Sequence, residues 1–176
     1  MPASRGNAIN LSFSCVLAAT LLTAVFISTA YARTENANAR QVFHIVKSEM
    51  VEVGDKPGHY VGYIHNCGLL FLDDGEVATV DGWYTFDYTN GSGIFSGYGK
   101  TVFDDGSTQL TRIEKGNTTA IQGGKVSLLE GAYEYVGGSG RFQGLKGNGT
   151  FSGKRVGPVE SGADGYTDLK GTYTLP

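Results

Sequence analysis

Cysteine, proline, methionine and tryptophan are scarce in this chain, which holds two, four, two and one of them in 176 residues. One of the two cysteines, Cys15, falls in an N-terminal apolar run of the kind that export removes. With that run gone only Cys67 remains, so no intramolecular disulfide can staple the fold, and sheet and core must carry it alone. The residue types expected of a lone cysteine make Cys67 a buried small hydrophobe rather than a reactive thiol. Sustained helical periodicity with caps is also missing, apart from one possible helical turn at Lys125–Glu130. No second apolar run is long enough for a membrane span, which needs about 20 residues.

The first segment reads as an export signal. Arg5 supplies a weakly positive start, Cys15 to Ile27 the apolar stretch, and Ala30-Tyr31-Ala32 the small-x-small pattern of a cleavage site. Cleavage after Ala32 assigns residues 1–32 to a signal peptide and leaves a product that is secreted or periplasmic. Its 13 basic residues against 17 acidic ones give a net charge of −4, because the signal carries one of the chain's 14 basic residues and no acidic one. A mildly acidic chain with no basic stripe excludes nucleic acid as the main partner. Residues 33–40 are polar and patternless, which predicts a disordered lead-in. Residues 41–176 then form one domain.

Glycine is plentiful, with 27 residues, and so are aromatics, at 11%. From Gln41 onward, strand patterns alternate with turn residues. They predict strands over 41–48, 60–73 (one long or two short), 76–88, 93–104, 107–114, 119–121, 125–136, 141–154 and 165–175. Asp73-Asp74-Gly75 recurs as Asp104-Asp105-Gly106, in each case between two strands. Many short strands joined by tight loops imply an all-β sandwich or closed barrel. A closed antiparallel barrel of about eight strands is preferred, because closure removes exposed edges and glycines inside strands provide bends.

One phrase occurs twice: Gly91-Ser92-Gly93-Ile94-Phe95-Ser96-Gly97 and Gly138-Ser139-Gly140-Arg141-Phe142-Gln143-Gly144. It reads as a corner followed by a core anchor. A dinucleotide fingerprint is excluded, because Gln143 stands where its last glycine belongs and a strand, not a helix, follows. Gly99-Lys100-Thr101 sits within a strand pattern and lacks the earlier glycine of a phosphate loop. The stretch Tyr135-Val136-Gly137-Gly138-Ser139-Gly140-Arg141-Phe142 resembles the Gly-Gly-Thr/Ser-Gly-x-Phe corner of dirigent proteins, and Asn90-Gly91-Ser92-Gly93-Ile94-Phe95 is similar to the matching corner of allene oxide cyclases. The resemblance implies an eight-stranded antiparallel barrel, assembly as a homotrimer or another homo-oligomer, and guidance of a reactive small molecule without a cofactor. It carries over no catalytic residue.

Candidate chemistry therefore comes from the strands. In Val61-Gly62-Tyr63-Ile64-His65-Asn66-Cys67, alternation puts Tyr63, His65 and Cys67 on one face. Turned inward, that face would place a phenol, an imidazole able to relay a proton, and a thiol in one pocket; in the other register, Tyr60, Gly62 and Ile64 point inward. Glu134 turned inward would be a carboxylate in an apolar barrel and an acid or base; in the other register Tyr133 and Tyr135 are inside. The even face from Ala78 to Tyr88 is expected inward, which makes Tyr84, Phe86 and Tyr88 candidate ligand contacts beside Cys67. His44, His59 and His65 are too scattered for a metal-ligand pattern, His44 and His65 are expected as structural residues of their strands, and His59 is expected in a solvated loop. The function expected is binding of a small apolar or aromatic molecule and guidance of its cyclisation, isomerisation or coupling. The alternative is a non-catalytic carrier, or a structural barrel packed solid.

Overall fold

Alternation in the strand sequences decides which side chains turn inward. In the strand Val77–Thr89, Ala78, Val80, Phe86 and Tyr88 are buried while Thr79, Trp83, Thr85 and Asp87 face out. The computed structural model describes residues 33–159 and 162–176. The expected signal peptide, residues 1–32, lies outside the described residues. Nine strands follow: β1 (Arg33–Asn36), β2 (Ala39–Glu52), β3 (His59–Leu72), β4 (Val77–Thr89), β5 (Ser92–Val102), β6 (Thr108–Ile121), β7 (Val126–Ser139), β8 (Lys146–Val156) and β9 (Asp164–Leu175). The Lys125–Glu130 stretch lies almost wholly in β7 and forms no helix.

Every neighbouring pair is antiparallel. The order runs from β2 through β9, and β9 pairs back with both β8 and β2, which closes an eight-stranded barrel. The extra strand is β1, which pairs with the last residues of β9 (Arg33↔Leu175 to Asn36↔Thr172), while β2 takes the first ones (Ala39↔Leu169 to His44↔Asp164). Residues 33–40 are thus not a disordered lead-in. Ala37 is buried and its N–H donates to the Gly171 carbonyl at 2.9 Å, so the segment completes the edge that β2 leaves open.

The two Asp-Gly turns are copies in geometry as in sequence. Leu72 N–H donates to Glu76 O and Gly75 N–H to Leu72 O, at 2.9 and 3.0 Å; Phe103, Ser107 and Gly106 repeat this at 3.0 and 2.9 Å. Asp74 and Asp105 each accept the backbone N–H two residues on.

The glycine phrases end up at opposite ends of the barrel. The first forms the β4–β5 hairpin, where Asn90 (φ 52°) and Gly91 (φ 76°) make the left-handed pair that suits a two-residue turn. The second closes β7 and passes through a single 3₁₀ turn, Gly140–Phe142, which drops Phe142 into the core. There Phe142 joins Leu70, Val80, Phe103 and Leu145, with Tyr135 and Tyr173 packed against them. This apolar cluster seals one end. The other end, ringed by the ends of β2, β4, β6 and β8 and the starts of β3 and β7, is an open mouth lined by Met50, Tyr60, Tyr88, Ala120 and Val159.

Candidate functional site

Between the sealed end and the mouth the barrel is not filled. A cavity of about 100 Å³ lies among Phe43, Ile64, Phe95, Leu129 and Phe151. That is about two-thirds of the roughly 150 Å³ void that takes benzene in an engineered core. The rings around it fit because glycines on neighbouring strands make room for them. A Cβ on Gly116 would lie 2.3 Å from the Phe95 ring, and one on Gly131 2.7 Å from that of Phe151.

Polar side chains also enter this wall, Gln41, Thr111 and Thr167 among them, and the most deeply buried are on β3, β4, β7 and β8. Asn66, on β3, is 7% exposed and its Oδ1 has no hydrogen-bond partner. Tyr84 and Tyr133 present phenols from β4 and β7. Burial pushes the Tyr84 phenol up to about 12, so it is a hydrogen-bond donor and not a base at neutral pH. Arg155, on β8, is 5% exposed and borders both the cavity and the mouth, as Tyr88 does. Its Nη2 donates to the Ser127 hydroxyl at 3.0 Å, and the Tyr88 hydroxyl lies 2.8 Å from that of Thr118. Burial raises the Tyr88 pKa; the Thr118 hydrogen bond and the Arg155 charge oppose it. The boundary that mouth and cavity share is therefore a buried cation framed by hydroxyls.

The candidate residues divide by face. Tyr84 and Tyr88 line the cavity and Phe86 the mouth, as the even face of β4 implies. The Tyr63, His65 and Cys67 face, by contrast, is on the outside. Ile64, Asn66 and Leu70 are the buried residues of β3, so Cys67 lines no part of the interior and neither His65 nor Tyr63 faces the cavity. Cys67 is half-buried beside polar neighbours, not a core residue. Glu134 is outside as well, ion-paired with Arg112, while Tyr133 and Tyr135 point inward. An unpaired carboxylate in the barrel would have cost far more than the exposed pair does. Among the described residues lining the cavity there is no histidine and no carboxylate.

The histidines are engaged on the outer surface. His44 Nδ1 is 2.7 Å from Asp164 Oδ1. His59, expected in a solvated loop, opens β3 with a side chain only 12% exposed, held by Asp55 on one ring nitrogen and Asp87 on the other. His65 stacks on Trp83, ring centroids 5.3 Å apart, and contacts Asp81.

Sequence reasoning missed Asn66 and Arg155. Asn66 alternates with Ile64 and could have been found once that face was placed inward; Arg155, in a Lys-Arg pair, looks like ordinary surface charge.

No protein-family model matches the chain, and no curated protein matches it. Among solved structures it is similar to two pterocarpan synthase dirigent proteins. One is 15% identical with a TM-score of 0.48, over 91% of this chain and 99% of that one. The other is 16% identical with a TM-score of 0.45, over 80% of this chain and 94% of that one.

Proposed function

We propose that the barrel binds a small, largely apolar molecule, with a ring in the cavity and its remainder toward the mouth, and that this confinement directs the molecule's cyclisation, isomerisation or coupling. The observation that carries the reading is the Asn66 carbonyl oxygen, buried at the cavity wall without a partner. Leaving such an acceptor unpaired costs about 1–3 kcal/mol, and a bound hydroxyl or N–H removes that cost. The phenols of Tyr84 and Tyr133 and the Arg155 guanidinium supply the complementary donors. The ligand class that fits is a hydroxylated ring compound with a carbonyl or anionic oxygen toward Arg155.

Such a wall acts by holding one reactive conformer and stabilising a developing oxyanion with fixed donors. It needs no cofactor for either. The lack of a histidine or carboxylate in the described lining favours a second reading, carriage of the same class of molecule without reaction. We further propose that the work is done outside the cytoplasmic membrane after removal of residues 1–32, by a homotrimer.

Mass spectrometry of small molecules released from the purified protein tests the binding. A hydroxylated ring compound should be retained by the natural chain, lost from the variant Ile113→Phe, in which a larger ring replaces a β6 side chain lining the cavity, and weakened about 10-fold or more in Asn66→Leu. Equal retention by all three proteins would defeat the proposal. Conversion of the retained compound on incubation separates guidance from carriage.

A further inference from the structure

The outer wall carries a second constellation that the barrel reading does not use. His65 and Cys67 lie two residues apart on the outward face of β3, and Asp81 is the direct cross-strand partner of Cys67 on β4. His65 Nε2 lies 2.9 Å from Asp81 Oδ1, Cys67 Sγ lies 3.2 Å from the same oxygen, and Sγ and Nε2 are 3.6 Å apart. A nitrogen, a sulfur and an oxygen thus converge on one point.

A catalytic triad would be built differently. There the imidazole uses one ring nitrogen for the carboxylate and the other for the nucleophile. Here one nitrogen, Nε2, faces both partners, so it cannot take a proton from the thiol while donating to Asp81. With Nε2–H and S–H both donating to Asp81, the contact between sulfur and nitrogen holds no hydrogen bond at all. A single cation at the centre would engage the three lone pairs together.

The dimensions suit zinc. Metal–ligand lengths of about 2.0–2.3 Å at a tetrahedral angle set donor–donor edges of roughly 3.3–3.7 Å. The observed triangle reaches them by opening a few tenths of an ångström, which side-chain rotation supplies. The backbone positions are set by the β3–β4 register in a closed barrel, so the ligands are arranged before metal arrives. The thiolate and imidazole donors select zinc-like ions over calcium or magnesium. His65 and Asp81 are 25% and 41% exposed at their side chains, which leaves the fourth position to solvent.

We propose that His65 Nε2, Cys67 Sγ and Asp81 Oδ1 form a site for one Zn²⁺ on the outer wall, three protein ligands plus water. Binding displaces the Cys67 thiol proton to solvent and leaves the sulfur as a thiolate ligand, while the neutral His65 ring carries its proton on Nδ1 so that Nε2 offers its lone pair. The single tryptophan, Trp83, stacked on His65, reports occupancy.

The test is titration of the reduced full chain with Co²⁺ as the visible stand-in, followed by competition with Zn²⁺. Expected are a thiolate-to-cobalt charge-transfer band with tetrahedral visible bands at one equivalent, quenching of Trp83 emission, and loss of all three signals on adding Zn²⁺. Cys67→Ser should abolish the charge-transfer band. His65→Gln and Asp81→Asn should each weaken binding by more than the 10–100-fold that an outer-shell partner is worth. Thermal melts without metal show that each variant is folded, since all three positions are on the surface. No band in the natural chain overturns the proposal, and so does a band that survives both His65→Gln and Asp81→Asn, which would mean capture by the thiol alone.

Discussion

Single residues on facing strands trade volume across this barrel. Glycines in strands suggest bends, and some do bend the chain, but several serve as floors for rings. Gly116 lies under Phe95, Gly131 under Phe151, and Gly62 under Phe86, with Cβ positions 2.3, 2.7 and 2.6 Å from ring carbons. Sequence alone shows the glycines and the aromatics but not which pairs with which, because the pairing is across strands. Gly116→Ala should therefore drive the Phe95 ring toward the cavity and destabilise by about 1–3 kcal/mol, the usual range for overpacking. Shrinking the ring relieves the clash, so in a double-mutant cycle Phe95→Leu should recover at least about 0.5 kcal/mol of that loss. Urea unfolding of the four proteins measures it, and strictly additive effects would show that the ring and the glycine do not meet.

Most strands were legible because period-2 alternation is uninterrupted in them, and β4 is the clearest. Where a bulge intervenes, parity flips and the pattern misleads. In β6 the inward residues are Gln109, Thr111 and Ile113, then Gly116 and Thr118, since an extra residue enters between Arg112 and Gly116. Read as sequence, this break splits β6 into two short strands. In β3 alternation correctly groups Tyr63, His65 and Cys67 but cannot say which side of the sheet they take; a one-residue change of register exchanges the faces. The zinc-type cluster was hidden for a related reason, because Asp81 is 14 and 16 residues from Cys67 and His65 and meets them only through strand pairing. Pairing also gives His59 its role, tying the β2–β3 loop at Asp55 to β4 at Asp87. The Asp55 hydrogen bond first, and the Asp87 one next, raise the His59 pKa above its ordinary value. A group raised on folding stabilises fully below its unfolded pKa, near 6.5, and that contribution disappears as pH climbs through the folded value. Thermal midpoints taken from pH 5.5 to 8.5 should thus fall more steeply for the natural chain than for His59→Gln. Parallel curves would mean that the imidazole is not held as a cation.

At the scale of the whole molecule the two ends of the barrel do different work. Phe142, anchor of the second glycine phrase, is 4% exposed and packs against Phe103 with centroids 4.7 Å apart, while Arg141 lies over both rings. Phe95, anchor of the first phrase, lines the cavity instead. One repeated phrase thus makes a plug at one end and part of the cavity wall toward the other. If ligands pass only through the mouth, the plug supplies stability and nothing to binding. Phe142→Ala removes a buried ring and should cost about 3–5 kcal/mol. That is a large share of the roughly 5–15 kcal/mol total of an ordinary domain, so the urea midpoint should fall substantially. The retained small molecule should stay bound with unchanged affinity. Ile113→Phe gives the opposite pair of outcomes, near-natural stability and no bound ligand. Faster ligand exchange in Phe142→Ala would show that the sealed end is a second route into the barrel, and the division of labour between the ends would fall.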